Sequence, residues 1–155
     1  MHCAGMSITE PLRFTSIESV NQLIDLNLKA TIHLIAGLRK KRIFNVNASV
    51  LLLSSLAGIR SEPAIATYAA SKAAIISLTK SFATELVFPD RIRVNCLAPG
   101  IVETELVKNK FKALSPDSVK SLSKKYPLGF GQVRDIANAA VYFLSDASSW
   151  VTGSC

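Results

Sequence analysis

A chain of 155 residues is long enough for one domain with a real core. Its composition, 49% hydrophobic and 7% aromatic, suits a compact α/β protein and argues against disorder. A net charge of +7 raises the question of nucleic acid, but no aromatic residues are interleaved among the lysines and arginines to stack bases, so the charge reads as a solvated basic surface.

The chain opens MHCAGMSITE, with neither a basic n-region nor a long apolar h-region, so it does not read as a signal peptide. No apolar run approaches the ~18 residues of a membrane span. The three cysteines, Cys3, Cys96 and Cys155, are scattered and odd in number; they fit a reducing cytoplasm and show no metal-ligand spacing. Residues 17–38 read as one long helix, with Val20, Leu23, Ile24, Leu28, Thr31, Leu34, Ile35 and Leu38 on one stripe. Asn27 falls on that stripe and needs partners there. His33 lies inside the same stretch and is read as structural. After a basic connection at 39–48, Val50-Leu51-Leu52-Leu53 is a continuous apolar run, as expected for a strand covered on both faces. Ser54 and Ser55 close it, and Gly58 and Pro63 mark a loop. A helix rich in alanine is expected from Ala64 to Leu86, and its small residues would let another helix or a second subunit approach closely. Residues 91–98 read as the next strand, ended by Pro99-Gly100, with Thr104 following. Residues 105–126 are polar, lysine-rich and weakly periodic; they read as a mobile lid over a substrate. Tyr126-Pro127-Leu128-Gly129 is a turn, and Asp135 to Ser145 a helix with Ile136, Ala139, Ala140, Phe143 and Leu144 on one face. There is no internal repeat, linker or low-complexity segment, so 1–155 reads as a single unit.

The chemistry concentrates in residues 54–72, SSLAGIRSEPAIATYAASK. Tyr68 and Lys72 are four apart, which on a helix places them on one face. Ser55 lies at the end of the preceding strand, thirteen residues before Tyr68. A hydroxyl, a phenol and an ammonium can converge there. A free phenol has a pKa near ~10, and a close ammonium favours the phenolate, so the group is suited to proton transfer near neutral pH. Ser55 can donate to a carbonyl or to the alkoxide that develops from it. By spacing alone, an ordinary helix with a surface Tyr and Lys fits as well. The string Ser121-Leu122-Ser123-Lys124 matches the S-x-x-K of some hydrolases, but no companion motif accompanies it.

Ser55, Tyr68 and Lys72 with the YAASK string resemble the catalytic segment of the short-chain dehydrogenases/reductases. Further matches stand at family spacing. Asn27, 41 residues before Tyr68, is similar to the asparagine that helps hold a water linking the lysine to solvent. PGIVET, with Pro99, Gly100, Val102 and Thr104, resembles the segment whose backbone and threonine contact the nicotinamide carboxamide. Ala4-Gly5 matches the end of an Asn-Asn-Ala-Gly motif near the cofactor, with His2 and Cys3 in place of the asparagines. SDASSWVTG resembles the segment before the family's last core strand. Members such as 3-oxoacyl-carrier-protein reductases and related keto reductases are the most alike.

The resemblance implies a Rossmann-like, doubly wound parallel sheet and an NAD(P)-dependent oxidoreductase that interconverts a ketone and a secondary alcohol. It implies NADP or NAD as cofactor and a homodimer or homotetramer as the assembly. Catalytic roles fall on Asn27, Ser55, Tyr68 and Lys72, and cofactor contacts on Ala4, Gly5, Tyr68, Lys72, Pro99, Gly100, Val102 and Thr104. No metal, membrane or nucleic-acid partner is implied. The departure is the absence of a glycine-rich G-x-x-x-G-x-G turn to seat the pyrophosphate. The first βαβαβ half, with the residue that selects NAD or NADP, and the last strand are expected to be missing, and the chain alone is expected to be weakly stable or prone to associate. The alternative is a non-catalytic relative that serves as a binding or oligomerisation subunit or has no activity.

Overall fold

Two short parallel strands form the centre of the computed structural model, which describes residues 1–112 and 114–155. Strand β1 (Ser49–Leu53) pairs with β2 (Arg93–Leu97), Ser49 opposite Arg93 through Leu53 opposite Leu97. The three central residues of each strand are buried, as the continuous apolar run requires. Val50, Leu52, Val94 and Cys96 form a core with Ile35, Ile75, Ala83, Leu86 and Ile92. Leu51 and Asn95 alternate to the opposite face and are also fully buried.

From the sequence neither end carries a strand, yet backbone pairing continues on both sides of the pair. The His2 N–H donates to the Leu51 carbonyl at 2.9 Å. On the other side the Gly153 N–H donates to Val94 at 2.7 Å, and the Cys96 N–H donates to Ser154 at 2.8 Å. These groups satisfy backbone polar atoms that β1 and β2 would otherwise leave open. The lateral order is therefore His2, β1, β2, Gly153–Ser154.

The expected helix at 17–38 spans residues 17–40 with one irregularity. Helix α1 (Ile17–Ile24) and helix α2 (Ala30–Lys40) are joined by a π-helical turn, Asp25–Lys29. Ser16 caps the start, its side chain accepting from the Ser19 N–H. Leu23, Asn27, Thr31 and Ile35 form the buried stripe at intervals of four. Leu34 is 42% exposed and so leaves the predicted stripe. His33 is exposed, because it lies off the line through Thr31 and Ile35; it is not a core residue.

Helix α3 (Ala66–Leu86) runs from β1 back toward β2 and begins two residues after the expected start. Its buried residues include Ala69, Lys72, Ile75, Thr79, Ala83 and Leu86, at helical spacing. The weakly periodic stretch at 105–126 contains two helices, α4 (Glu105–Lys112) and α5 (Pro116–Ser123). Helix α6 (Val133–Leu144) packs on the sheet, its start closed by the reciprocal Gln132–Asp135 capping bonds. Among the described residues no helix is long and apolar enough to cross a membrane.

Candidate active site

The site is assembled where β1 ends and α3 begins. Lys72 is 6% exposed, and its Nζ donates to the carbonyl of Leu53, the last residue of β1, at 2.8 Å. The Ser54 hydroxyl returns the connection, donating to the Lys72 carbonyl at 2.7 Å. These two bonds fix the helix to the strand. Lys72 Nζ stands 5.9 Å from the centroid of the Tyr68 ring, so the expected one-face arrangement is met. Burial holds the Lys72 pKa below the ordinary lysine value, and the nearby Cys3 works in the other direction. Ser55 closes β1 and caps the short 3₁₀ turn Leu56–Gly58, its Oγ accepting from the Ala57 N–H at 3.2 Å. That bond uses a lone pair and leaves the hydroxyl proton to donate elsewhere.

Asn27 lies in the π-turn and is 1% exposed. Its Oδ1 accepts from the Met6 N–H at 2.8 Å, and its Nδ2 donates to the Met6 carbonyl at 2.9 Å and to Ser71 Oγ at 3.1 Å. The Thr31 hydroxyl donates to the Asn27 carbonyl at 3.1 Å. Gly5 lies against both polar groups: a Cβ there would stand 3.2 Å from Asn27 Oδ1 and 3.4 Å from Lys72 Nζ. The exposed segment Ala4-Gly5 thus runs beside Lys72 with almost no side chain of its own. His2, which stands where the resemblance expects asparagine, keeps a buried Nε2 without a partner among the described residues. Its own burial, followed by Lys72 and the N-terminal ammonium, holds its pKa below the ordinary histidine value.

Ser55 and Tyr68 face a cleft of about 1220 Å³ that is also lined by Pro99, Gly100, Val102 and Thr104. Lys72 and Asn27 lie behind it. The loop after β2 is pinned by backbone bonds: Gly131 donates to Ile101 at 2.9 Å, and Glu103 donates to Gly131 at 2.8 Å. Thr104 Oγ1 accepts from the Val107 N–H at 3.3 Å and so caps α4. Tyr126 stacks where Gly100 has no side chain; a Cβ there would come within 2.8 Å of the ring. Phe130 joins Tyr126 and Phe111 into an aromatic group, with centroids 5.5 and 5.2 Å from its own. Two lysines reach from this side of the cleft to the other, Lys110 to Ser7 Oγ at 2.9 Å and Lys125 to Glu62 at 2.7 Å. Ser54 and Lys125 join the site without a sequence motif that marks them. Ser71 stands inside the YAASK string, the one polar residue between Tyr68 and Lys72. Among the described residues no group of His, Cys, Asp or Glu has the arrangement of a metal site.

The chain is similar to known proteins over most of its length. A family profile described as enoyl-(acyl carrier protein) reductase matches residues 1–155. The 3-oxoacyl-[acyl-carrier-protein] reductase FabG of Rickettsia bellii is 36% identical over 137 residues, covering 88% of this chain and 55% of that protein. A short chain dehydrogenase family protein from Francisella tularensis superposes with a TM-score of 0.88 at 32% identity, covering 98% of this chain and 65% of the other. A 4-hydroxyisoleucine dehydrogenase complexed with NADH gives a TM-score of 0.89 at 30% identity, covering 98% and 62%. The chain thus spans little more than half the length of the curated relatives it matches.

Proposed function

Because this chain belongs to the short-chain dehydrogenase/reductase family, we propose that it carries the catalytic part of an NAD(P)-dependent oxidoreductase interconverting a ketone and a secondary alcohol. A 3-oxoacyl thioester is the substrate class nearest to the relatives. The observation that supports this reading is the convergence of Ser55 and Tyr68 on one cleft, with Lys72 and Asn27 packed directly behind. When bound, NADP or NAD supplies the hydride exchanged with the carbonyl carbon. Ala4, Gly5, Pro99, Gly100, Val102 and Thr104 would hold it, together with Tyr68 and Lys72. The side-chain-free Gly5 beside Lys72 Nζ fits close approach of a flat, polar group. In the reductive direction Ser55 donates its hydroxyl to the carbonyl oxygen and orients it. Tyr68 gives its proton to that oxygen. The Lys72 ammonium stabilises the negative charge that develops on the phenol oxygen. Asn27 supports the relay that returns a proton.

Replacing Tyr68 with Phe removes the donor and keeps the ring. The expected result is a loss of turnover of about 10²-fold or more, with dinucleotide affinity, read by nicotinamide fluorescence, largely intact. Near-normal turnover would sink the mechanism. Wild-type protein that shows neither dinucleotide binding nor turnover would favour a non-catalytic binding subunit. The same reading carries with it a cytoplasmic location, checked by fractionating expressing cells, and assembly as a homodimer or homotetramer.

Residues 105–126, containing α4 and α5, act in this reading as a lid over the substrate. Their lysines would attract an acidic or phosphorylated carrier attached to the thioester. Reversing the charge of Lys108, Lys110 and Lys112 together should raise KM for a carrier-bound substrate more than for a small neutral ketone. An equal change for both would remove the lysines from substrate selection.

A further inference from the structure

The Asn27 amide is held by two partners far apart in the chain, and one of them lies on the helix that carries Tyr68 and Lys72. Ser71 is 0% exposed. Its hydroxyl donates its single proton to the Tyr68 carbonyl at 2.8 Å, one turn back. That leaves its lone pairs facing the Asn27 Nδ2, which donates to them across 3.1 Å. The direction of this bond matters. A hydroxyl already committed to a carbonyl acts as an acceptor toward a second neighbour. It therefore accepts only the NH₂ end of Asn27. The opposite amide orientation would bring two oxygens together at Ser71 and two more at the Met6 carbonyl. Ser71 and the Met6 backbone demand the same orientation of the amide, one in which every polar atom is paired and Asn27 grips both the N–H and the carbonyl of Met6. Met6 follows Ala4-Gly5, the segment against Lys72 Nζ.

We propose that Ser71 is a positioning residue: its hydroxyl anchors the NH₂ end of the Asn27 amide to α3, and through Asn27 it holds residues 4–6 against the helix that bears Tyr68 and Lys72. Its value to catalysis rests on the function proposed above, but the arrangement itself is measurable without turnover.

The probe is hydrogen exchange by NMR on the uniformly ¹⁵N-labelled chain. In the wild type, the Asn27 side-chain amide should exchange far more slowly than that of the exposed Asn21. In S71A, the Asn27 side chain and the Met6 backbone amide should exchange about tenfold faster or more, relative to Leu51 and Val94 in the sheet. S71T, which keeps the hydroxyl, should restore protection toward the wild-type value. The proposal is overturned if Asn27 in the wild type exchanges like Asn21. Acceleration in S71A that is no greater at Asn27 and Met6 than at Leu51 and Val94 also overturns it, since that pattern marks general loosening. Should S71A not fold, S71T decides: a folded variant with Asn27 protection lost contradicts the role of the hydroxyl. In protein that turns over, S71A should lower kcat and alter its pH profile, with S71T close to wild type. Absent turnover in all three would count against the proposed function and leave the exchange result to stand on its own.

Discussion

Lys72 keeps a cation where solvent hardly reaches it, and the price is a pH dependence. Its folded pKa lies below the ordinary 10.5, chiefly because burial penalises the charged form. Between the folded value and 10.5 the unfolded chain binds more protons than the folded one, so this residue makes stability rise with pH in that window. Below the window the penalty is constant. Urea unfolding of wild type and K72M at several pH values from neutral toward 10 isolates the effect: the wild type should gain stability relative to the variant as pH rises. A difference that stays constant would mean Lys72 is solvated after all. The pairing of Tyr68 with Lys72 was legible because four residues of helix determine it. The Met6–Asn27–Ser71 group was not, because those bonds close over 21 and 44 residues and no local pattern announces them.

At the scale of elements, the least visible device is Arg93 at the start of β2. Its guanidinium donates to the carbonyls of Phe143 at 3.1 Å, Ser145 at 3.1 Å and Ser148 at 2.9 Å, and to Ser148 Oγ at 2.6 Å. It thereby caps the C-terminal end of α6 with a positive charge and ties that helix to the sheet. R93A should destabilise the protein by about 2 kcal/mol, with exchange at α6 amides accelerated most. R93K should recover only part, since an ammonium cannot spread over three carbonyls as a planar fork does. Equal loss of protection throughout the chain would argue against a local cap. Helix α6 was readable from its apolar face, but its cap lies 50 or more residues away in sequence. Helices α4 and α5 were hidden for a different reason. Each is only eight residues long, too short for a clear period, and their markers were the caps Thr104 and Ser115-Pro116. The π-turn at Asp25–Lys29 left no mark in the apolar spacing either.

Over the whole molecule, the βαβ order of β1, α3 and β2 was legible because parallel pairing across a helix follows from two buried apolar runs with a long helix between them. The edge pairing by His2 and by Gly153–Ser154 was not, since one or two backbone bonds need no strand-like sequence. Large apolar side chains remain open to solvent: Trp150 is 93% exposed, Phe88 79%, and Val141 on α6 68%. Such surface favours association. Sedimentation of the chain at rising concentration should show species heavier than 16.7 kDa, and emission from Trp150, the single tryptophan, should move to the blue as they form. A monomer at all concentrations, with a sharp cooperative unfolding transition, would contradict this. The register of the two strands also governs how the chain meets the ribosome. Ser49 pairs with Arg93, so 44 residues must be added before β1 has its neighbour. At about 5–20 residues per second, Val50-Leu51-Leu52-Leu53 waits about 2–9 s with an open edge during synthesis, long enough for a chaperone to find it first.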